Sequence, residues 1–196
     1  MIDQYLKISN GNGKMQFINS LNTNTLSNDY CMNKCTFGVD CYSFKHMKVF
    51  TNNATAWERN SLKLSQSIIE LDLLPRFHNI NIFRFNSHGE LINNIHLINL
   101  MNIVKKNKDV FFSLWTKRND LIKKYFSKND KPKNLNLIFS NSKLDKPINK
   151  MPKYFDKTFN VINKDSNIKA NCSGKCIECM TCYKKTKETT IIEVIK

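Results

Sequence analysis

Three strand-length runs, residues 80–86, 109–115 and 134–139, alternate with stretches of helical period, and this alternation limits the folds open to the chain. Residues 93–106 place Ile95, Leu97, Ile98, Leu100, Met101 and Val104 at helical spacing, and residues 116–127 follow the second run with a similar pattern. Strands that alternate with helices of about a dozen residues build βαβ units and a parallel sheet. Near-continuous apolar strands such as 110–115 suit a sheet covered by helices. The fold class is therefore α/β.

The remaining elements extend the pattern. Residues 1–14 are polar and hold the turn-forming run Asn10-Gly11-Asn12-Gly13, and a strand fits 15–22 with Phe17 and Leu21 as anchors. Helices fit 42–50 and 54–67, and the apolar stretch 68–77 reads as a helix ending near Pro75. A turn at 153–156, a fourth run at 158–162 and a final strand at 189–195 complete the reading. Residues 1–165 then form the sheet domain, and 166–196 form a cysteine-rich segment packed on the same domain.

All seven cysteines fall in two groups. Cys31, Cys35 and Cys41 are spaced C-x3-C-x5-C on the loop expected after the first strand, and Cys172, Cys176, Cys179 and Cys182 are spaced C-x3-C-x2-C-x2-C. An odd count argues against a closed disulfide framework, and clustered cysteines point to metal ligation. Four thiolates this close can wrap one polynuclear cluster, close to the ferredoxin spacing read backwards. Structural zinc sites usually take two close pairs set further apart, so zinc is the alternative. The trio leaves one iron of a four-iron cluster open to a ligand. Its other readings are a fourth ligand such as His46, or a single site shared with the quartet. One or two [4Fe-4S] clusters follow.

In parallel sheets ligands collect at the carboxyl ends of the strands. Those ends should carry the trio, residues 86–90, Thr116-Lys117-Arg118 and residues 140–142. His88 is a ligand or proton-transfer group, or a neutral turn residue. Lys117 and Arg118 can pair with a carboxylate or phosphate, or simply be solvated. Trp57 and Trp115 read as core aromatics, and His46, His78 and His96 as ordinary helix or surface residues. No P-loop, G-x-S-x-G or H-E-x-x-H pattern occurs, which excludes the common NTPase, hydrolase and zinc-protease readings.

The cysteine trio after a first strand resembles the radical S-adenosylmethionine (SAM) superfamily, whose usual spacing is C-x3-C-x2-C. That resemblance implies a partial (β/α) barrel of parallel strands and a cluster whose open iron binds and reductively cleaves SAM. It also implies a Gly-Gly-Glu-like turn for the SAM amine, at Ser87, His88, Gly89 and Glu90, and polar contacts from Ser140 and Asn141. The superfamily's later glycine-rich motif is not evident. The stretches 22–25, 31–42, 84–90, 114–118 and 172–183 also resemble the phage gene-product-eighty-eight-like proteins. This second resemblance implies a phage or prophage origin, and so a place in the cytoplasm of a bacterial host.

The net charge is +15, from 31 Lys and Arg against 16 Asp and Glu, and nearly all the excess is lysine. Such a balance draws polyanions, so nucleic acid or a host protein is the expected partner of a non-catalytic version of this protein. The densest basic patch is Lys123, Lys124, Lys128, Lys131 and Lys133, which a solvated face explains equally well. There is no apolar run of membrane-spanning length and no signal-peptide core in the N-terminal residues, so no membrane partner is expected.

Overall fold

A computed structural model describes residues 5–148 and 150–195. Its centre is a seven-stranded sheet in sequential order: β1 (Ile8–Ser9), β2 (Asn19–Leu21), β3 (Ile82–Phe85), β4 (Phe111–Thr116), β5 (Leu135–Ser140), β6 (Lys157–Ile162) and β7 (Thr190–Val194). β1 runs antiparallel to β2, and every later neighbour is parallel. The α/β expectation holds. The sheet stays open, since β1 and β7 are its two edges and no pairing closes a barrel.

Register decides what each face carries. Leu21, Phe85, Leu114 and Leu137 lie abreast on the outer face, with Phe83 and Phe112 one row below. Helices α2 (Thr51–Gln66), α3 (Asn94–Lys106) and α4 (Asn119–Phe126) supply Leu64, Leu97, Leu100, Met101, Val104, Ile122 and Phe126 to the same core. Phe85 and Phe112 stack with ring centroids 5.2 Å apart. The opposite face carries the polar row Ser20, Arg84, Ser113 and Asn136, and beyond it Trp115 and Ile138. Among the described residues no long helix packs on this inner face. The C-terminal segment does, with Cys172 and Cys182 packed on a small cluster of Trp115, Ile138, Phe159 and Ile191.

Helix α1 (Tyr42–Val49) follows the cysteine trio, as its pattern predicts. The stretch 68–77 is not a helix: only Leu71–Leu73 makes a tight turn. Side-chain amides of α3 and of its C-terminal cap hold it extended, with the Ile69 N–H donating to Asn99 Oδ1 and the Phe77 N–H to Asn107 Oδ1. The expected strand 15–22 shortens to β2, because Gly13–Met15 forms a turn and Phe17 takes a positive φ of 68°. β1 arises in the stretch read as polar loop, and residues 1–4 of that stretch lie outside the described residues.

Candidate metal and cofactor sites

The carboxyl edge gathers the loops that the strand pattern places there. Residues 22–41 leave β2, and Cys31 lies in the wide turn Tyr30–Lys34 while Cys41 leads into α1. The turn 86–90 leaves β3 and locks onto that loop. The Thr23 N–H donates to the His88 carbonyl, and Asn28 Nδ2 donates to the Glu90 carbonyl at 3.0 Å. Gly89 makes this approach achievable: its φ is +82°, and a Cβ there would stand 2.4 Å from the Thr23 carbonyl oxygen. Thr36 Oγ1 donates to the Ser142 carbonyl, tying the trio's loop to the end of β5 as well.

Glu90 is buried between these loops. Oε1 accepts from the Leu91 N–H at 2.7 Å and from Thr116 Oγ1 at 2.5 Å, and Oε2 accepts from the Lys117 N–H at 2.8 Å. Its carboxylate therefore fastens the β3 end to the β4 end, a different task from the amine contact that the SAM resemblance implies. Glu90→Gln replaces one acceptor with an amide NH2 that faces existing donors. We expect a loss of about 1–3 kcal/mol in urea unfolding, and stability within a few tenths of a kcal/mol of the wild type would reject this clamp.

His88 lies in the expected turn, but its ring sits among Tyr42, His46 and Trp57, with centroids 5.1, 4.6 and 4.6 Å away, and Nδ1 faces Ser43 Oγ at 3.2 Å. Burial, then the charges of His46 and Arg84, lower its pKa to about 3, so the ring is neutral at physiological pH. It is a packing residue. His46 stacks on Phe50 and Trp57, and its Nε2 faces Asn53, so it belongs to the same aromatic cluster rather than to the cysteines. Tyr42 donates its hydroxyl to the Ser87 carbonyl, and Ser87 Oγ donates to Asn22 Oδ1 at 2.7 Å.

Lys117 is the cation of this edge. Its Nζ reaches towards Ser140 Oγ at 3.4 Å. Burial works against its charge, but Glu90 and the thiols of Cys35, Cys41 and Cys31 raise its pKa overall, so it stays protonated. Arg118 instead pairs with Asp120 at 2.7 Å and donates to the Leu91 and Ile92 carbonyls. Asn141 is engaged internally, donating to the Lys146 carbonyl and Asn160 Oδ1 and accepting from the Lys143 N–H, so it shapes the β5–β6 loop. Burial, then the Glu90 charge, pushes the Cys31 thiol well above its ordinary range.

The quartet is elsewhere, against the inner face. Cys172, Cys176, Cys179 and Cys182 line one cavity of about 250 Å3, together with Ser173, Gly174 and Tyr183. Cys176–Cys179 forms one helical turn, α5, and Met180 takes φ 54° to turn the chain back. Asn136 Nδ2 from β5 donates to the Cys182 carbonyl at 3.3 Å, which pins the loop to the sheet. Burial pushes the Cys182 thiol up to about 12, and the nearby Arg84 charge opposes that shift. Among the described residues, no group of three or more His, Cys, Asp or Glu side chains stands close enough to hold a single metal ion. The cavity's lining includes none of the trio's cysteines, so trio and quartet occupy separate places.

Sequence reading missed Arg84. Its signal was there, a charged residue amid the apolar run Ile82-Phe83-Arg84-Phe85. The gene product 88 family model matches residues 6–171. The chain belongs to that phage protein family. The match spans the trio and the sheet through β6 and ends one residue before Cys172, so the quartet and β7 lie outside it. The likeness read into 172–183 is therefore not carried by the family match. No curated protein and no solved structure matches the chain. Of the two resemblances, the phage family is the one these comparisons carry. Among the described residues no helix is long and apolar enough to cross a membrane.

Proposed function

We propose that this gene product 88 protein is an iron–sulfur protein of radical SAM type, acting in the interior of an infected bacterium. One observation carries the reading. Six parallel strands run in sequential order, the cysteine trio leaves the first of them, and the turn 86–90 leaves the second and bonds directly to the trio's loop. That is the order in which the superfamily resemblance places its cluster loop and its SAM turn.

Two cysteine sets support this reading. Four closely spaced thiols that line one cavity are the kind of donor set that polynuclear centres take, and zinc is the alternative. Three thiols beside a protonated Lys117 suit a cluster with one open iron. Once bound, such a cluster supplies an iron that chelates SAM and an electron that cleaves its sulfonium carbon–sulfur bond. The chain's own part is positional. Lys117 offers a positive charge beside the trio, and Glu90 with Gly89 holds both loops together.

The test is anaerobic reconstitution with iron and sulfide, then SAM and dithionite. Wild-type protein should release methionine and 5′-deoxyadenosine, and Cys35→Ala should release neither. Retention of iron with no SAM binding would end the enzymatic reading. It would leave a cluster-stapled protein that binds nucleic acid or a host protein through its lysine-rich surface, checked by the salt dependence of DNA and RNA binding.

A further inference from the structure

Arg84 projects from the middle of β3 onto the inner face and is only 5 % exposed. A buried charge is normally paired or hydrogen-bonded throughout. Arg84 is neither. Among the described residues no carboxylate lies within ion-pair distance of it, and Glu193 on the same face is held by Lys14 at 2.6 Å. Its Nε finds no hydrogen-bond partner, its Nη1 reaches Met15 Sδ at 3.4 Å, and its guanidinium carbon lies 3.9 Å from the Trp115 ring centroid. A ring face and a thioether are weak company for a desolvated cation.

What surrounds it is the quartet. Tyr183, next to Cys182, is fully buried, and its hydroxyl lies beside the Arg84 guanidinium without a well-formed hydrogen bond. Arg84 lies over the Trp115 ring, and Cys172 and Cys182 pack against the cluster to which that ring belongs. Phenols carry no charge at neutral pH, so the groups on this face that can balance the guanidinium are cysteine sulfurs once a metal binds them. Lys157, three strands away on the same face, adds a second cation, donating to Thr186 Oγ1 at 2.8 Å and to the Glu188 carbonyl.

We infer that Arg84 is the built-in counter-ion of a metal–thiolate centre held by Cys172, Cys176, Cys179 and Cys182. This rests on reading the quartet as a cluster site and adds what tunes it. A cluster held by four thiolates is net anionic and gains one further negative charge when it takes one electron. A fixed cation favours that reduced form. Arg84 forms and breaks no bond and moves no proton; the electron comes from an external one-electron donor.

The experiment compares wild type, Arg84→Lys and Arg84→Met in a Cys31→Ala/Cys35→Ala/Cys41→Ala background, so that only the quartet is loaded. Each is measured by iron and sulfide content, by midpoint potential in a dithionite titration, and by melting temperature with and without cluster. The expected result is a reversal of sign. Metal-free Arg84→Met melts a few degrees above its parent, because an unbalanced buried charge is gone. Loaded Arg84→Met melts below its parent, and its potential shifts to more negative values, while Arg84→Lys stays near the parent in both. A residue that only packs on Trp115 would lower both melting temperatures and leave the potential alone, which would overturn the inference. Equal potentials in all three loaded proteins would overturn it too. Loss of iron from Arg84→Met alone, with the metal-free variant folded, would support it. A parent that binds no iron would sink the cluster reading itself and the inference with it.

Discussion

Gly89→Ala should be the most damaging single methyl that can be added to the carboxyl edge. Its φ of +82° is a region that L side chains reach only at a cost of about 1–2 kcal/mol. The new Cβ would also stand 2.3 Å from Thr23 Oγ1 and 2.4 Å from the Thr23 carbonyl oxygen, and the second of these is backbone and cannot rotate away. Overpacking of this kind adds about 1–3 kcal/mol. The sum, roughly 2–5 kcal/mol, is a large part of a typical domain's stability. It corresponds to a fall in melting temperature of roughly 4–20 °C for a chain of this size. Differential scanning calorimetry of the metal-free protein checks this, and a melting temperature within a degree of wild type would mean that the 86–90 turn does not lock onto the β2 loop. Because Thr23 lies on the segment that leads to Cys31, the variant should also load less iron at the trio than at the quartet.

That turn also shows what the sequence makes legible. Ser87-His88-Gly89-Glu90 was recognisable as a loop at a strand's carboxyl end, since a β-branched and aromatic run stops there and a glycine follows. The division of labour inside it was not. Glu90 looks like a ligand in sequence and acts as a clamp, because its acceptors meet Thr116 and Lys117 from β4, which only the parallel register brings alongside. His88 looks like a ligand and is a packed ring, because helices α1 and α2 deliver His46 and Trp57 to it. The strand runs hid their two faces for a related reason. Ile82-Phe83-Arg84-Phe85 reads as apolar on average, yet period-two alternation places Arg84 alone on the inner face with Ser20, Ser113 and Asn136. The stretch 68–77 failed as a helix because the polar side chains that hold it extended belong to α3 and its C-terminal cap, some thirty residues away.

The separation of the two cysteine groups leads to the second large effect. If trio and quartet hold independent four-iron clusters, wild-type protein reconstituted under argon should carry about eight irons per chain. Cys176→Ala and Cys35→Ala should each fall to about four, and the double variant to none. The geometry favours this additive pattern over a shared site. The quartet closes on its own cavity against Trp115, Ile138, Phe159 and Ile191, while the trio's loop is tied to the 86–90 turn and to Ser142 at the carboxyl edge. A shared site would give a different signature, because losing either cysteine would empty the whole centre. A colourless protein that holds zinc and no iron would overturn both clusters and the counter-ion role of Arg84 with them. The iron count therefore separates the two metals, and the single-cysteine variants separate one site from two. The two variants should also differ in stability. Cys176→Ala removes a ligand from the segment that covers the inner face, so it should lower the melting temperature of the loaded protein more than Cys35→Ala, whose loop is already fastened by Gly89, Asn28 and Thr36.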